Sequence, residues 1–159
     1  MDNSFGMGQI VGGKPAFERA RDSAVQLLSK GLNPGDSVSV LMASARPDAL
    51  IARPSIDLAS AKEKLRTVRL TDRPPGVLVT IRKAIEMAKQ AKNPTVEIYW
   101  ITANQKSAFP QDSEKTVREA WTALTKSGRI TWVDVAGTDN SNVALGAPVF
   151  SRQMVTPRA

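Results

Sequence analysis

The sequence predicts an α/β protein in which helices cover both faces of a mostly parallel central sheet. Segments with the apolar period of a helix alternate with short segments rich in β-branched residues. Residues 95–102, "TVEIYWIT", are β-branched or aromatic almost throughout, which is typical of a central strand buried on both faces. A chain of 159 residues with 42% hydrophobic residues is large enough for one domain with a single core.

The first half of the chain contains residues that begin and end regular elements. Pro15 suits the first turn of a helix, and Gly31 ends that helix. Pro47 and Pro54 flank a short apolar stretch, which indicates an edge strand because proline donates no ladder hydrogen bond. Asp57 is a residue type that caps helices. The predicted elements are a helix over residues 15–30, strands over 37–44 and 49–55, and a helix over about 57–68.

The second half repeats the alternation of helix and strand. Asp112 or Ser113 is expected to cap one of its helices. Trp100, Trp121 and Trp132 lie on strands or on an apolar helix stripe and are expected in the core. The predicted elements are a loop over residues 69–76, helices over about 77–92 and 113–126, strands over 95–102 and 129–137, and an edge element over 142–150.

The composition excludes several kinds of chemistry. The chain contains no histidine and no cysteine, so the usual general base, the usual transition-metal ligands and thiolate nucleophiles are missing. Any metal should therefore be a hard cation held by oxygen atoms. No apolar run approaches the ~20 residues that cross a bilayer, and the first residues lack the basic and apolar regions of a signal peptide.

The net charge of +7 raises the question of a nucleic-acid partner. The 22 lysines and arginines are scattered along the chain and are not interleaved with aromatic residues, as a base-stacking surface requires. Solubility, or weak attraction to an anionic surface, explains the charge more simply. The pattern therefore argues against nucleic-acid binding.

The amino-terminal stretch "MDNSFGMGQIVGGKP" places one acidic and two polar residues ahead of a helical pattern. Its loop "DNSFG" should meet "TDRPPG" and "TANQ", because the carboxyl ends of parallel strands share one edge of a sheet. Met7 and the glycines at positions 6, 8, 12 and 13 are expected to form a mobile loop. They do not match a phosphate cradle, because Lys14 is followed by Pro15 and not by serine or threonine.

Five motifs in sequence order resemble the von Willebrand factor A (VWA) domain of aerotolerance-type (BatA-like) bacterial membrane proteins. They are "DNSFGM", "FERARDSA", "GDSVSVLMAS", "EIYWITANQ" and "VDVAGTDNSNVAL". The resemblance covers nearly the whole chain, from Asp2 to about Leu145. It implies a three-layer, Rossmann-like VWA fold with a mostly parallel central sheet, an antiparallel edge strand and helices on both faces.

The VWA family holds a divalent cation, usually magnesium, at a metal-ion-dependent adhesion site (MIDAS) that leaves coordination open for a partner's acidic group. The resemblance places the first two ligands at Asp2 and Ser4. The other three ligand positions fall at Gly6, Gly76 and Ala103, none of which has a side-chain oxygen. The resemblance therefore implies a degenerate site in which Asp2 and Ser4 are vestigial.

No cofactor is expected at this site, and magnesium should bind weakly at most. Mg²⁺ demands near-octahedral oxygen ligation and gives up its water reluctantly. Thr71, Asp72, Thr102 and Asn104 lie close in sequence to the lost positions and offer partial substitutes. Asp72 also suits an ordinary turn ahead of two prolines.

Two further expectations concern the ligand positions. Asp2 and Ser4 are equally well explained as part of a frayed terminus. If missing oxygens are the main defect, then Gly6→Ser, Gly76→Thr and Ala103→Asp, together with an added apolar strand, should recreate a cation site.

In VWA relatives an apolar strand lies directly before the Asp-x-Ser loop, whereas here only Met1 precedes it. We therefore expect a piece of a longer protein, or a misplaced start, in which the flanking strands close up or another segment fills the gap. The predicted boundaries are a VWA-like domain over residues 1–147 and a tail, or the start of a following region, over 148–159. The family is anchored in the bacterial envelope by segments absent from this chain, so the compartment of this chain stays open.

The predicted function is a non-enzymatic module that binds a protein partner in an envelope-associated assembly. The absence of a base–nucleophile pair argues against catalysis. Two alternatives stay open: a small α/β nucleotide- or phosphate-binding enzyme that uses "DNSFGMG" and "TDRPPG", and a basic nucleic-acid-binding domain. A steep salt dependence of binding distinguishes the last, because phosphate contacts release counterions.

Overall fold

The computed structural model describes residues 1–105 and 114–137. In these ranges the helices are α1 (Ala16–Lys30), α2 (Leu58–Thr67), α3 (Val77–Ala88) and α4 (Glu114–Thr125). The strands are β1 (Ile10–Val11), β2 (Lys14–Pro15), β3 (Val38–Met42), β4 (Asp48–Ser55), β5 (Glu97–Thr102) and β6 (Arg129–Asp134). The predicted caps of α4, the element over 142–150 and the boundary at 147 lie outside the described residues.

The strands separate two apolar cores, so the protein has three layers. Along β5, Tyr99 and Ile101 pack into a core with residues of α1 and α2. Ile98 and Trp100 pack into a second core with residues of α3 and α4. This alternation follows from the two-residue period of a strand. The predicted α/β fold class, with helices on both faces of the strands, is confirmed.

Helices α1 and α2 form from the sequence signals that predict them. The α1 residues that pack into the first core are Ala16, Phe17, Ala20, Ala24 and Leu28. Their spacing of three or four residues places them on one side of the helix. The Asp57 side chain accepts a hydrogen bond from Ser60 N at 2.9 Å, which is the predicted cap of α2.

The described strands form three separate pairs. β3 and β4 are antiparallel, β5 and β6 are parallel, and β1 and β2 form a small hairpin. The parallel pairing of β5 with β6 and the antiparallel position of β4 agree with the sequence prediction. Between β3 and β5 there is no strand pairing, so the central layer is interrupted at that point.

Residues 1–3, which we call the amino-terminal bridge, span this interruption at one end. The bridge runs parallel to β3. Its backbone hydrogen bonds are Met1 N to Leu41 O (2.9 Å), Ala43 N to Met1 O (2.8 Å), Asn3 N to Ala43 O (3.1 Å) and Asp2 N to Ile101 O (2.9 Å). The flanking strands therefore do not close up, because the bridge holds β3 and β5 one strand apart.

The segment after the bridge is folded and packed. Phe5–Gly8 forms a turn of 3-10 helix, and Met7 packs into the first core. Gly12 and Gly13 have φ values of 62° and 78°, which the tight turn between β1 and β2 requires and which glycine adopts without strain. The burial of Met7 contradicts the expectation of a mobile loop at that residue. The sequence did not predict this burial, because a single methionine among glycines gives no hydrophobic periodicity.

Three tryptophans form a cluster on the side of α3 and α4. The Trp100 and Trp121 ring centroids lie 4.7 Å apart, edge to face, and Trp132 stacks at 6.2 Å from Trp100. Trp132 is nevertheless 40% exposed. The prediction that all three belong to the core is therefore wrong for Trp132.

Replacing Met7 by alanine should lower the free energy of unfolding by about 2–5 kcal/mol, because it opens a cavity in a packed core. Phe5→Ala is the matched control, since Phe5 lies in the same turn and is 56% exposed. This control should change the free energy of unfolding by about 0.5 kcal/mol or less. Urea unfolding measures both, and equal losses would contradict the packing of Met7.

Candidate functional site

The candidate site lies at the edge where β3 and β5 end. Three segments meet there: the bridge with its following turn, the loop before α3, and the residues after β5. The contacts that join them are Phe5 N to Arg73 O (2.9 Å), Thr71 N to Asn3 O (2.9 Å) and Gln105 Nε2 to Gly6 O (2.7 Å). The predicted meeting of the three loops is confirmed.

Asp2 uses both carboxylate oxygens inside the protein. Ser4 N donates to Oδ1 at 2.9 Å, and the Thr102 hydroxyl donates to Oδ2 at 3.0 Å. Asn3 and Ser4 are buried on either side of this network. A frayed terminus is therefore ruled out as the explanation of Asp2 and Ser4. In this structure Asp2 ties the bridge to the end of β5.

The α-amino group of Met1 lies in the same region. Burial lowers the pKa of this group to about 6, and the neighbouring Asp2 carboxylate opposes that change. The folded-state pKa is thus below the ordinary value of 8.0. Protonation of the amine therefore favours the unfolded chain as the pH falls from 8 towards 6.

The three positions without side-chain oxygens are tightly packed. A Cβ atom on Gly6 would lie 2.0 Å from Gln105 Oε1, and one on Gly76 would lie 2.5 Å from the backbone oxygen of Ser44. Ala103 is buried. Serine at position 6 requires the Gln105 side chain to move aside, and threonine at position 76 meets fixed backbone atoms, so missing oxygens are not the only defect.

Gln105 is a site residue that the sequence reasoning missed. Its Nε2 donates to Gly6 O at 2.7 Å and lies 3.4 Å from Gln9 Oε1. The amide side chain therefore occupies the place where a side chain at position 6 would project. The signal that could have revealed it is Gly6 itself, because a glycine leaves room for a long neighbour.

The four expected substitute ligands have other partners or are exposed. Thr71 donates to Asn3 O at 2.9 Å through both its backbone N–H and its hydroxyl. Asn104 N donates to Thr102 Oγ1 at 3.3 Å, and Asp72 is exposed. Within residues 1–105 and 114–137, no three acidic side chains cluster in a way that could hold a metal ion. The residues at this site do not fit a resident divalent cation.

A depression of about 230 Å³ lies beside the bridge. Three arginines and one carboxylate line it, together with Asn3 and Thr71: Arg46, Arg69, Arg73 and Asp48. The ion pairs found in the described part of the chain do not include these arginines. Asn3 Oδ1 is buried there without a hydrogen-bond partner. The arrangement offers guanidinium groups to an anionic ligand.

Comparison with known proteins assigns no activity. No protein-family profile and no curated protein match the chain. Among solved structures, the conserved hypothetical protein BatB from Bacteroides thetaiotaomicron is similar, at 14% identity and a TM-score of 0.49 over 86% of this chain and 88% of that chain. None of the helices in the described residues has the length and apolar character to span a bilayer.

Gly6→Ala should destabilise the protein by about 1 kcal/mol, because its new Cβ atom displaces the Gln105 side chain and breaks the hydrogen bond of that side chain to Gly6 O. In a Gln105→Ala background the same substitution should cost at least about 0.5 kcal/mol less. Urea unfolding of the four proteins measures this coupling. Gly76→Ala is the control, because its Cβ meets the Ser44 backbone, which Gln105→Ala leaves in place. Additive effects of the Gly6 and Gln105 substitutions would contradict the assigned packing.

Titration with Mg²⁺ should give no saturable site below millimolar concentration, since three ligand positions lack side-chain oxygens and Asp2 is already bonded. Isothermal titration calorimetry measures this directly. The Asp2→Ala variant should give the same heats as the parent protein. A micromolar site that Asp2→Ala abolishes would contradict the degenerate assignment.

Proposed function

We propose that this chain is a non-enzymatic, VWA-like protein-interaction module with a degenerate MIDAS, related to the BatA-like proteins of the bacterial envelope. The three-layer α/β fold, the order of the five sequence motifs and the convergence of the three loops support this proposal. The packing around Gly6 and Gly76 supports the degenerate state of the metal site.

The observation that carries the proposal is the arginine-lined depression beside Asn3. Where a VWA relative offers a cation to an acidic partner, this chain offers Arg46, Arg69 and Arg73. A guanidinium group binds a carboxylate through two parallel N–H donors and keeps its charge at every physiological pH. The proposed partner is therefore a protein segment that presents an aspartate or glutamate side chain.

The composition and the bonding of Asp2 support a binding role over catalysis. The chain has no histidine or cysteine to act as base or nucleophile. Asp2 accepts hydrogen bonds on both oxygens and ties two backbone segments together. Both oxygens of this carboxylate therefore serve as hydrogen-bond acceptors within the fold.

Phosphate is the second ligand that the same arginines favour, because it also accepts paired guanidinium hydrogen bonds. The alternative of a phosphate-binding protein therefore stays open. Titrating the protein with each ligand separately distinguishes a carboxylate site from a phosphate site.

The test is a backbone-amide NMR titration with an acetylated, amidated tetraglutamate peptide and, separately, with inorganic phosphate. The peptide should shift the Thr71 and Arg73 amides and saturate. Arg69→Gln and Arg73→Gln should each weaken its affinity at least about fivefold, the loss of roughly one charge-assisted hydrogen bond. Arg129→Gln is the matched control, since it removes the same charge from an exposed site at the start of β6.

Three results would contradict this assignment. Equal weakening by Arg129→Gln would show general charge attraction. Saturation by phosphate without response to the peptide would favour the phosphate-binding alternative. Tight binding of an oligonucleotide with a steep salt dependence would favour a nucleic-acid partner.

A further inference from the structure

The side chain of Asn3 is the buried part of the arginine-lined depression. Asn3 is only 7% exposed, whereas the three arginines that line the depression with it are exposed. Its side-chain oxygen Oδ1 is buried and has no hydrogen-bond partner among the residues that the structure describes. The depression therefore combines charged donors near the solvent with an unpaired, uncharged acceptor on its inner side.

The backbone of Asn3 is held in place by hydrogen bonds on two sides. Its N–H donates to Ala43 O at 3.1 Å, and its C=O accepts from both the N–H and the hydroxyl of Thr71, each at 2.9 Å. These bonds fix the residue between the end of β3 and the loop before α3. The position of Asn3 is therefore set before any ligand arrives, which lowers the entropic cost of binding to its side chain.

The hydroxyl groups around the depression already donate elsewhere. The Ser44 hydroxyl donates to Arg46 O at 2.9 Å, and the Thr71 hydroxyl donates to the backbone oxygen of Asn3. Each hydroxyl has one proton to donate. A buried acceptor without a partner costs free energy, and the great majority of buried acceptors in proteins are paired. In this arrangement the donor for Asn3 Oδ1 comes from a ligand or from water.

A carboxylate alone does not satisfy this acceptor. An ionised aspartate or glutamate side chain has only acceptors, so it binds the guanidinium groups and leaves Asn3 Oδ1 unpaired. The main-chain N–H of the same acidic residue is a donor, and it lies only a few bonds from the carboxylate. One acidic residue within a polypeptide therefore offers both complementary groups, acceptors for the arginines and a donor for Asn3.

The charge of the lining favours a neutral donor. Asp48 supplies a carboxylate, but Arg46, Arg69 and Arg73 outnumber it, so the depression keeps a positive charge. An ammonium group at this position is repelled by the guanidinium groups, because like charges at short range raise the free energy. A main-chain amide is uncharged. The donor that fits the site is therefore an amide N–H, not a lysine side chain or a free amino terminus.

We propose that Asn3 Oδ1 accepts a hydrogen bond from the main-chain N–H of the acidic residue whose carboxylate binds the arginines. This inference rests on the proposed function and specifies its partner further. Beyond the first turn of a helix, each main-chain N–H is bonded to the carbonyl four residues earlier. The acidic residue that this site selects therefore lies in an extended segment, in a loop or in the first turn of a helix.

The test compares two peptides that differ at one main-chain nitrogen. The parent peptide is acetylated, amidated Gly-Gly-Glu-Gly-Gly, and the second peptide carries a methyl group on the glutamate nitrogen. In a backbone-amide NMR titration of the 159-residue chain, the parent peptide should bind at least about fivefold more tightly, because methylation removes one hydrogen bond. The matched control carries the methyl group on the nitrogen of the glycine after glutamate and should bind as the parent peptide does.

Protein variants assign the lost hydrogen bond to Asn3. Asn3→Leu introduces an apolar side chain of similar shape and should fold, because it removes an unpaired buried acceptor. This variant should bind the parent peptide and the N-methylglutamate peptide equally. Asn33→Leu, at an exposed position after α1, should keep the fivefold difference. If Asn3→Leu does not fold, Asn3→Ala tests the same side chain.

Two outcomes would overturn this inference and leave the proposed function standing, provided that Arg73→Gln still weakens binding. Equal binding of both peptides by the unmodified protein would show that water satisfies Asn3 Oδ1. An undiminished difference between the peptides in Asn3→Leu would place the amide contact elsewhere.

Failure of the proposed function gives a different result. Absence of saturable binding by either peptide, or equal weakening by Arg73→Gln and Arg129→Gln, would overturn the arginine site and this inference with it.

Discussion

The backbone hydrogen bonds of the amino-terminal bridge connect two strand pairs that otherwise have no ladder between them. β3 with β4 and β5 with β6 each form their own pair. Residues 1–3 bond to β3 and its following residue on one side and to Ile101 on the other. The carboxylate of Asp2 adds a bond to Thr102, at the end of β5. Each such bond contributes only about 1 kcal/mol, but together they fix the separation and register of the two pairs.

The bridge also positions the candidate binding surface. Thr71 donates twice to Asn3 O, and Phe5 N donates to Arg73 O, so the loop before α3 is bound directly to the amino-terminal segment. Arg69 and Arg73 belong to this loop and face the same depression. Asp2 accepts two hydrogen bonds within the fold, and in the proposed function the arginines beside Asn3 supply the charge offered to a partner. The same few hydrogen bonds therefore hold the loop that carries two of the arginines.

Local signals in the sequence predicted the parts of the fold that depend on neighbouring residues. The stripe on α1, the Asp57 cap and the apolar run of β5 each follow from spacing within a few residues, and the structure shows all three. The meeting of three loops followed from the shared edge of parallel strands. These features need no knowledge of distant contacts.

Features that depend on distant contacts could not be derived in the same way. Met7 is buried because a turn places it against α1 and β5, and no period among glycines indicates this. Gln105 fills the space over Gly6 from a position 99 residues away in sequence. The exposure of Trp132 depends on what covers β6, which strand propensity does not specify. The separation of β3 and β5 is likewise set by bonds from the other end of the chain.

The bond from Asp2 N to Ile101 O has a consequence for the order of events during synthesis. Asp2 leaves the ribosome before its partners at the end of β5, which are translated about a hundred residues later. At ordinary rates of elongation this takes roughly 5–20 s. Closing so long a loop also costs more chain entropy than any contact within a helix or hairpin. The bridge residues therefore reach their final place late, after α1, β3, β4, α2 and α3 have all been synthesised.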